Sequence, residues 1–356
     1  MTGSKKAFAG KYLGQYLRFV TLIFAFGANA SYGSALGDFG CGGPQRAINR
    51  ADFNHDDLTA ALAFDFAAGD FQSIIMAADI WKERKCLLPD GESQAEYLLS
   101  GFSLYFRGAQ GWEVSRKQLD KFKSAYPGSA VPYLAEARYW SDYANSARGF
   151  GYASTVTSNG WKLFNERLQK SNEILQAIKK EAADWPQWYW QEIRVQALLG
   201  EGKDPIDKTF NEGIEKFPNE LAIYTERAYY LEPRWGGSWG EADKIALLAL
   251  GKVRREPSDA TYARMYWSRG DLLPVQSALF SESGASWPRM RNGFIELLKK
   301  YPTSTRISNA FLSYSCMAGD RNTYLKYRNS FPMLDASGWR DQEDRARCDA
   351  AFGFRK

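Results

Sequence analysis

The stretch WKLFNERLQKSNEILQAIKKEA, Trp161–Ala182, decides the fold class. Its apolar residues fall at Trp161, Phe164, Leu168, Leu175, Ile178 and Ala182, in alternating steps of three and four, with Ser171 in the single gap. Such spacing puts one apolar stripe along a helix of about six turns. Met290, Phe294, Leu297, Leu298 and Tyr301 form a second stripe, and Ala242, Ile245, Ala246, Ala249 and Val253 a third. Alternating β-branched runs are nearly absent, Val156-Thr157 being the closest approach to one. The expected fold class is all-α.

Working outward, the helical stripes close in a recurring way. Tyr126-Pro127, Phe217-Pro218 and Tyr301-Pro302 each place an aromatic before a proline, and Trp185-Pro186 and Glu256-Pro257 read as further stops. Proline lacks the backbone N–H that a continuing helix needs and crowds the preceding turn. The stops at Pro186, Pro218, Pro257 and Pro302 recur at intervals of 32, 39 and 45 residues, about the length of a two-helix repeat.

These residues resemble the tetratricopeptide repeat. Phe210, Gly213, Ile214 and Pro218 stand where that repeat carries its second-helix aromatic, small, aliphatic and proline positions. Trp190 and Ile193 match its first-helix Trp and Leu, and Phe294, Leu298 and Pro302 repeat the second-helix pattern. Arg194 and Ile206 depart from it, standing where Gly and Ala let paired helices approach. The resemblance implies an irregular tetratricopeptide-like α-solenoid, a right-handed superhelix of splayed helix pairs. The segments Ala147–Ala153, Trp161–Phe164 and Pro233–Trp239 also resemble a bacterial exported family of unknown function carrying an Arg-Trp-Gly-Gly-Ser-Trp motif, here Arg234–Trp239. That likeness spans about Tyr133 to Tyr327 and implies a helical-repeat fold without adding an activity.

The N-terminus reads as a signal peptide over residues 1–30. Lys5, Lys6, Lys11 and Arg18 precede an apolar run, Phe19 to Phe26, and then Ala28-Asn29-Ala30. The run falls short of the roughly 20 residues needed to span a bilayer. Its removal takes four bases and no acids, so the formal charge of +5 becomes 5 − 4 = +1. A nearly neutral remainder carries no electrostatic footprint for nucleic acid. Residues 31–356 are expected to form one helical-repeat domain: N-terminal helices over 31–130, a repeat core over 131–330 and a cap over 331–356. The expected location is periplasmic or secreted, with no transmembrane span in the mature chain. Four cysteines in an oxidising compartment suggest two disulfides. The favoured pairing is Cys41–Cys86 and Cys316–Cys348, each stapling one end of the chain.

Catalytic signals are thin. The single histidine, His55, lies in Asn54-His55-Asp56-Asp57 and reads as a solvated helix start. Activated Ser or Cys nucleophiles usually need a histidine base beside them. No phosphate cradle, metal-ligand spacing or cofactor motif occurs. Asp142, Glu226, Glu232 and Glu241 are the acids that could serve a paired-carboxylate hydrolase. Glu241 has a competing role, because Ser238-Trp239-Gly240-Glu241 is a capping box.

Aromatics make up 15% of the chain, high enough to ask whether all serve the core. Pro233–Trp239 is the leading candidate site. Arg234 supplies a planar fork of donors, Gly236-Gly237 a turn, and Trp235 and Trp239 flat apolar faces. Arg148 and Tyr152, in a similar Gly-containing segment, and Tyr266 and Trp267 complete the candidate binding set. The expected function is non-catalytic binding of a protein or peptide in a concave groove. The alternative is a helical toroid that binds or hydrolyses cell-envelope glycan.

Overall fold

The computed structural model describes residues 35–38, 55–149, 153–272, 278–331, 339 and 342–354. The expected signal peptide, Cys41, Asn54 and Tyr152 lie outside the described residues. Among the described residues seventeen α-helices are present, and the extended structure is an isolated antiparallel bridge between Leu87 and Ser93.

Fourteen of the helices form seven antiparallel-type pairs along the chain. These are α1 (His55–Ala68) with α2 (Phe71–Arg84), α3 (Leu98–Phe106) with α4 (Gly111–Ala125), and α5 (Ala130–Arg148) with α6 (Ser158–Ala177). After the short α7 (Lys179–Ala182) come α8 (Pro186–Leu199) with α9 (Lys203–Lys216), and α10 (Leu221–Tyr229) with α11 (Trp239–Lys252). Then α12 (Ser258–Leu272), past the short α13 (Ala278–Ser281), pairs with α14 (Trp287–Lys300), and α15 (Thr305–Met317) pairs with α16 (Arg321–Ser330). A final helix, α17 (Gln342–Phe352), packs on α15.

Contacts follow nearest-neighbour order. The first helices α1, α3, α5, α8, α10 and α12 pack in succession, and α4, α6, α9, α11 and α14 each pack on the first helix of the next pair. No pair could bury its apolar stripe alone; stacking joins the stripes into one core running from Leu36 to Tyr314. This is the all-α helical-repeat architecture that the periodicity predicts.

The sequence stripes face that core, except that Phe164 and Leu168 form a small separate cluster with Ala144. Phe164, Leu168, Leu175 and Ala182 are buried, and Ser171 fills its gap by donating to the Ala137 carbonyl of α5 at 2.7 Å. The long predicted helix is interrupted at Ile178, which separates α6 from α7. Tyr126, Phe217 and Tyr301 cap their helices in nearly one conformation, with φ of −134°, −126° and −126° and ψ of 60°, 63° and 65°. Two of the expected stops are instead starts. Trp185 is the N-cap of α8 with Pro186 in its first turn, and Pro257 immediately precedes α12. A first-turn proline loses nothing, because its N–H would have no intrahelical partner there.

Small residues set the closest approaches. A Cβ on Gly213 would meet the Tyr189 side chain at 3.1 Å, and one on Gly293 would lie 1.9 Å from the Asp259 carbonyl oxygen. Gly213 occupies the second-helix position at which the repeat pattern carries a small residue, whereas Gly293 lies one residue before the aromatic Phe294.

The C-terminal bridge is present: Cys316 and Cys348 are bonded, tying α15 to α17 around a small core of Leu312, Tyr324 and Trp339. Cys86 is also disulfide-bonded. Contacts outside nearest-neighbour order gather at the end of the first pair, where Lys82 of α2 lies over the Trp185 ring before α8 at 4.5 Å. The turn between α2 and α3, around Asp90 and Glu92, reaches Arg264 of α12 and Arg306 of α15 across sequence separations of 174 and 216.

Candidate functional site

Arg107 at the end of α3, Arg138 of α5, Arg194 of α8 and Arg269 of α12 pair with buried or half-buried carboxylates and form a line across the fold. Arg107, just past α3, and Arg138 of α5 both pair with Asp142, which also accepts from the Ser103 hydroxyl at 2.5 Å. Burial raises the Asp142 carboxyl's affinity for a proton, but Arg107 and Arg138 outweigh it and hold the pKa at about 2. Arg138 lies within electrostatic reach of Arg194 on α8. Arg194 in turn grips Glu226 of α10 with two hydrogen bonds, Nε to Oε1 at 2.7 Å and Nη2 to Oε2 at 3.0 Å. This fork-to-fork geometry is the strong form of a charged hydrogen bond. Burial opposes the Arg194 charge, and Glu226 more than restores it.

The line continues into Pro233–Trp239. Glu232 is fully buried and receives Arg234 at 2.6 Å and the Nε of Arg269, from α12, at 3.4 Å. The Arg234 guanidinium lies 4.3 Å from the Tyr229 ring centroid. Trp235 is 38% exposed, with its ring centroid 5.0 Å from Tyr230 and 5.6 Å from Tyr229. The loop's glycines have separate reasons. Gly236 sits at φ +83°, a left-handed conformation, and a Cβ on Gly237 would lie 2.1 Å from the Leu231 carbonyl oxygen. Trp239 is half-buried, 5.7 Å from the Arg269 guanidinium.

The other candidates separate from this loop. Tyr266 is fully buried and packs 4.3 Å from Tyr262, and Trp267 is 2% exposed beneath Arg306. Arg148 closes α5, over the Trp161 ring at 5.6 Å. Arg234, Trp235 and Trp239 thus share one loop, while Tyr266 and Trp267 belong to the packed interior behind it.

The four candidate acids are engaged by cations. Asp142 and Glu226 lie in the arginine line, and Glu232 sits between two guanidinium groups. Glu241 forms the capping box, its backbone N–H donating to Ser238 Oγ at 3.2 Å, and its carboxylate pairs with Lys203. The acid with proton affinity near neutrality is a different one. Burial, reinforced by Glu201, lifts the Glu192 carboxyl to about 7.

His55 departs from its expected setting. It opens α1, but its ring lies 5.0 Å from Tyr97, and burial followed by the Arg306 charge lowers its pKa. It therefore sits beside the Asp90–Glu92 turn rather than in free solvent. Among the described residues, no group of three or more His, Cys, Asp or Glu could hold a metal ion, and no helix is long and apolar enough to cross a membrane.

The sequence pattern did not mark Arg107, Arg138 or Arg269, and it marked Arg194 only as a departure from the repeat's Gly position. A usable signal exists: Ala137-Arg138-Tyr139 and Ile193-Arg194-Val195 embed a cation between residues that are all buried. An arginine so placed must reach a carboxylate or face solvent. No known protein family, curated protein or solved structure matches the chain.

Proposed function

We propose that this chain is an exported, non-catalytic helical-repeat protein that binds an acidic segment of a protein or peptide along its first-helix face. One observation carries the reading. Arg107, Arg138, Arg194 and Arg234, with Asp142, Glu226 and Glu232, run across consecutive pairs beside half-buried Tyr229 and Tyr230 and exposed Trp235. Tyr, Trp and Arg are the side chains that most often carry interface energy. Solenoids present such a face to extended partners. The disulfide chemistry supports an oxidising compartment, since bridges are rare where thiols are kept reduced.

The test is a panel of labelled peptides, acidic–aromatic against charge-reversed. Acidic peptides should bind the wild type. Arg194→Ala and Trp235→Ala should each weaken that binding about ten-fold or more, with Trp235→Ala leaving thermal stability unchanged. Equal binding of both peptide classes, or indifference to Trp235→Ala, would exclude this face. A pull-down from periplasmic extract with the Arg234→Ala/Trp235→Ala variant then identifies the natural partner.

A second reading, glycan binding, draws on a different feature. A cleft of about 650 Å³ between α5 and α6 is lined by Trp140 and Tyr143 together with Glu166, Gln169 and Glu173. Flat rings flanked by amides and carboxylates suit a sugar. Arg167 and Lys170 weigh against it, because they already cover those rings at 3.3 Å and 4.3 Å. Unchanged tryptophan fluorescence on titration with cell-wall oligosaccharides would remove this option.

A further inference from the structure

The segment from Cys86 to Tyr97 is built as a small finger. The Leu88 N–H donates to the Glu92 carbonyl at 2.8 Å, Gly91 N–H to Leu88 at 2.8 Å and Gln94 N–H to Cys86 at 2.9 Å. The Glu92 N–H caps the turn on Asp90 Oδ1 at 3.0 Å. Its tip, Asp90-Gly91-Glu92, meets a surface made by the last pairs of the fold. Arg306 of α15 pairs with Asp90 at 2.8 Å and with Glu92 at 2.6 Å. Arg264 of α12 donates to the Asp90 carbonyl and is itself held by Glu256 at 2.6 Å. The Trp267 ring lies 4.5 Å from the Arg306 guanidinium. Gly91 lies over the Tyr301 ring so closely that a Cβ would come within 2.2 Å of it, and its φ is +84°. The tip fits this surface by charge, by backbone conformation and by the lack of a side chain.

This contact differs from the rest of the core in two respects. The pairs already stack on their neighbours without it, so losing it leaves that stacking complete. Its tip contacts are mainly charged, and the desolvation of Arg264 (3% exposed side chain) and Arg306 (15%) offsets much of the Coulombic gain. A segment held so is a natural unit of sub-global opening.

We infer that the Leu87–Ser93 turn is an intramolecular ligand: its acidic Asp-Gly-Glu tip occupies a receptor of Arg264, Arg306, Trp267 and Tyr301, and its release frees that receptor for an acidic, glycine-containing turn of a partner. This stands apart from the first-helix face proposed above, and its test does not depend on that face.

The experiment has two arms. In native-state hydrogen exchange on the unaltered full chain, the amides of Leu88, Gly91 and Gln94 should exchange through an opening that leaves α12 and α15 protected. Exchange of those amides only with global unfolding would overturn the inference. In the second arm, a labelled heptapeptide copying Leu87–Ser93 is titrated into the Asp90→Asn/Glu92→Gln variant. Binding is expected there, with a loss of roughly thirty-fold or more when Arg306→Ala is added. Wild type should bind more weakly, in proportion to the fraction of its receptor left open. No binding to a double variant that retains the wild-type circular dichroism, or equal binding of a peptide with alanine at the Gly91 position, would overturn it. Should the double variant fail to fold, the exchange arm decides alone.

Discussion

Replacing Asp142 by asparagine tests the arginine line most directly, because the geometry fixes both the size and the pH dependence of the effect. The Asp142 side chain is 1% exposed, and it neutralises Arg107 and Arg138, whose side chains are 29% and 11% exposed. Its folded pKa of about 2, against an ordinary 3.8, corresponds to about 2 kcal/mol of stability at neutral pH. Because the folded value lies below the unfolded one, this contribution is complete above about pH 5 and is lost as pH falls through about 2. The variant also leaves two guanidinium groups facing each other. Breaking a buried pair costs about 3–5 kcal/mol, and the lower end applies here because Arg107 can turn towards water. A deficit of about 3 kcal/mol should lower the melting midpoint by roughly 5–10 °C at pH 7. Circular dichroism melts at pH 7, 4 and 3 are the assay. About half of the pH-dependent part of the gap should be gone by pH 3. A gap under about 2 °C at pH 7, or one of constant size down to pH 3, would refute the claim that ionised Asp142 holds these helices together.

Three further outcomes follow from single residues. The Glu192 carboxyl is raised to about 7, so its stabilising contribution is present below about pH 4.5 and lost as pH rises through about 7; Glu192→Gln should therefore gain up to about 3 kcal/mol over wild type at pH 8.5, read from urea midpoints, with the gain shrinking by pH 5. Opening the Cys316–Cys348 bridge, whose sequence separation is 32, should cost about 3–4 kcal/mol in the chain-entropy picture. Limited proteolysis after reduction should then cut near α17 before it reaches α15. Gly293→Ala should destabilise by roughly 2 kcal/mol or more, since its Cβ meets backbone, whereas Gly213→Ala should stay within about 0.5 kcal/mol as the Tyr189 ring gives way and helix propensity improves. Equal denaturation midpoints for the two glycine variants would show that backbone contact is not what separates them.

The nearest-neighbour architecture explains why so much of the fold was legible. A repeat buries its stripe against the adjacent pair, so each stripe must be written within some 20 residues of chain, as Trp161–Ala182 and Met290–Tyr301 are. Helix ends are equally local, which is why Tyr126, Phe217 and Tyr301 read correctly as stops. Trp185-Pro186 and Glu256-Pro257 misread for an equally local reason: a proline is as compatible with a helix's first turn as with its end, and spacing alone does not separate the two. The aromatics divide by a criterion the sequence lacks. Trp235 and Trp267 are both tryptophans beside arginines, yet one is 38% exposed and the other 2%. The difference lies in which neighbouring pair covers them.

Composition reads a nearly neutral chain beyond residue 30, and that is compatible with both findings, because most of the charge is spent in specific pairs rather than in a field. Arg194 and Glu226 are 32 residues apart and face each other because their first helices are adjacent, a separation set by the repeat length itself. Arg306 and Asp90 are 216 apart, and no repeat period predicts their meeting. Contacts of the first kind follow from the solenoid once its register is known. Those of the second kind need the curvature accumulated over all the intervening pairs. A small change in packing between any two pairs therefore displaces the Asp90 tip from Arg264 and Arg306 by more than it disturbs the local core. The finger's docking should accordingly report strain anywhere along the stack: Gly293→Ala, between α12 and α14, should speed exchange at Gly91 even where the helices around Phe66 and Phe102 keep their protection. Unchanged Gly91 exchange in that variant would mean that the tip is held by its own turn and not by the curvature of the fold.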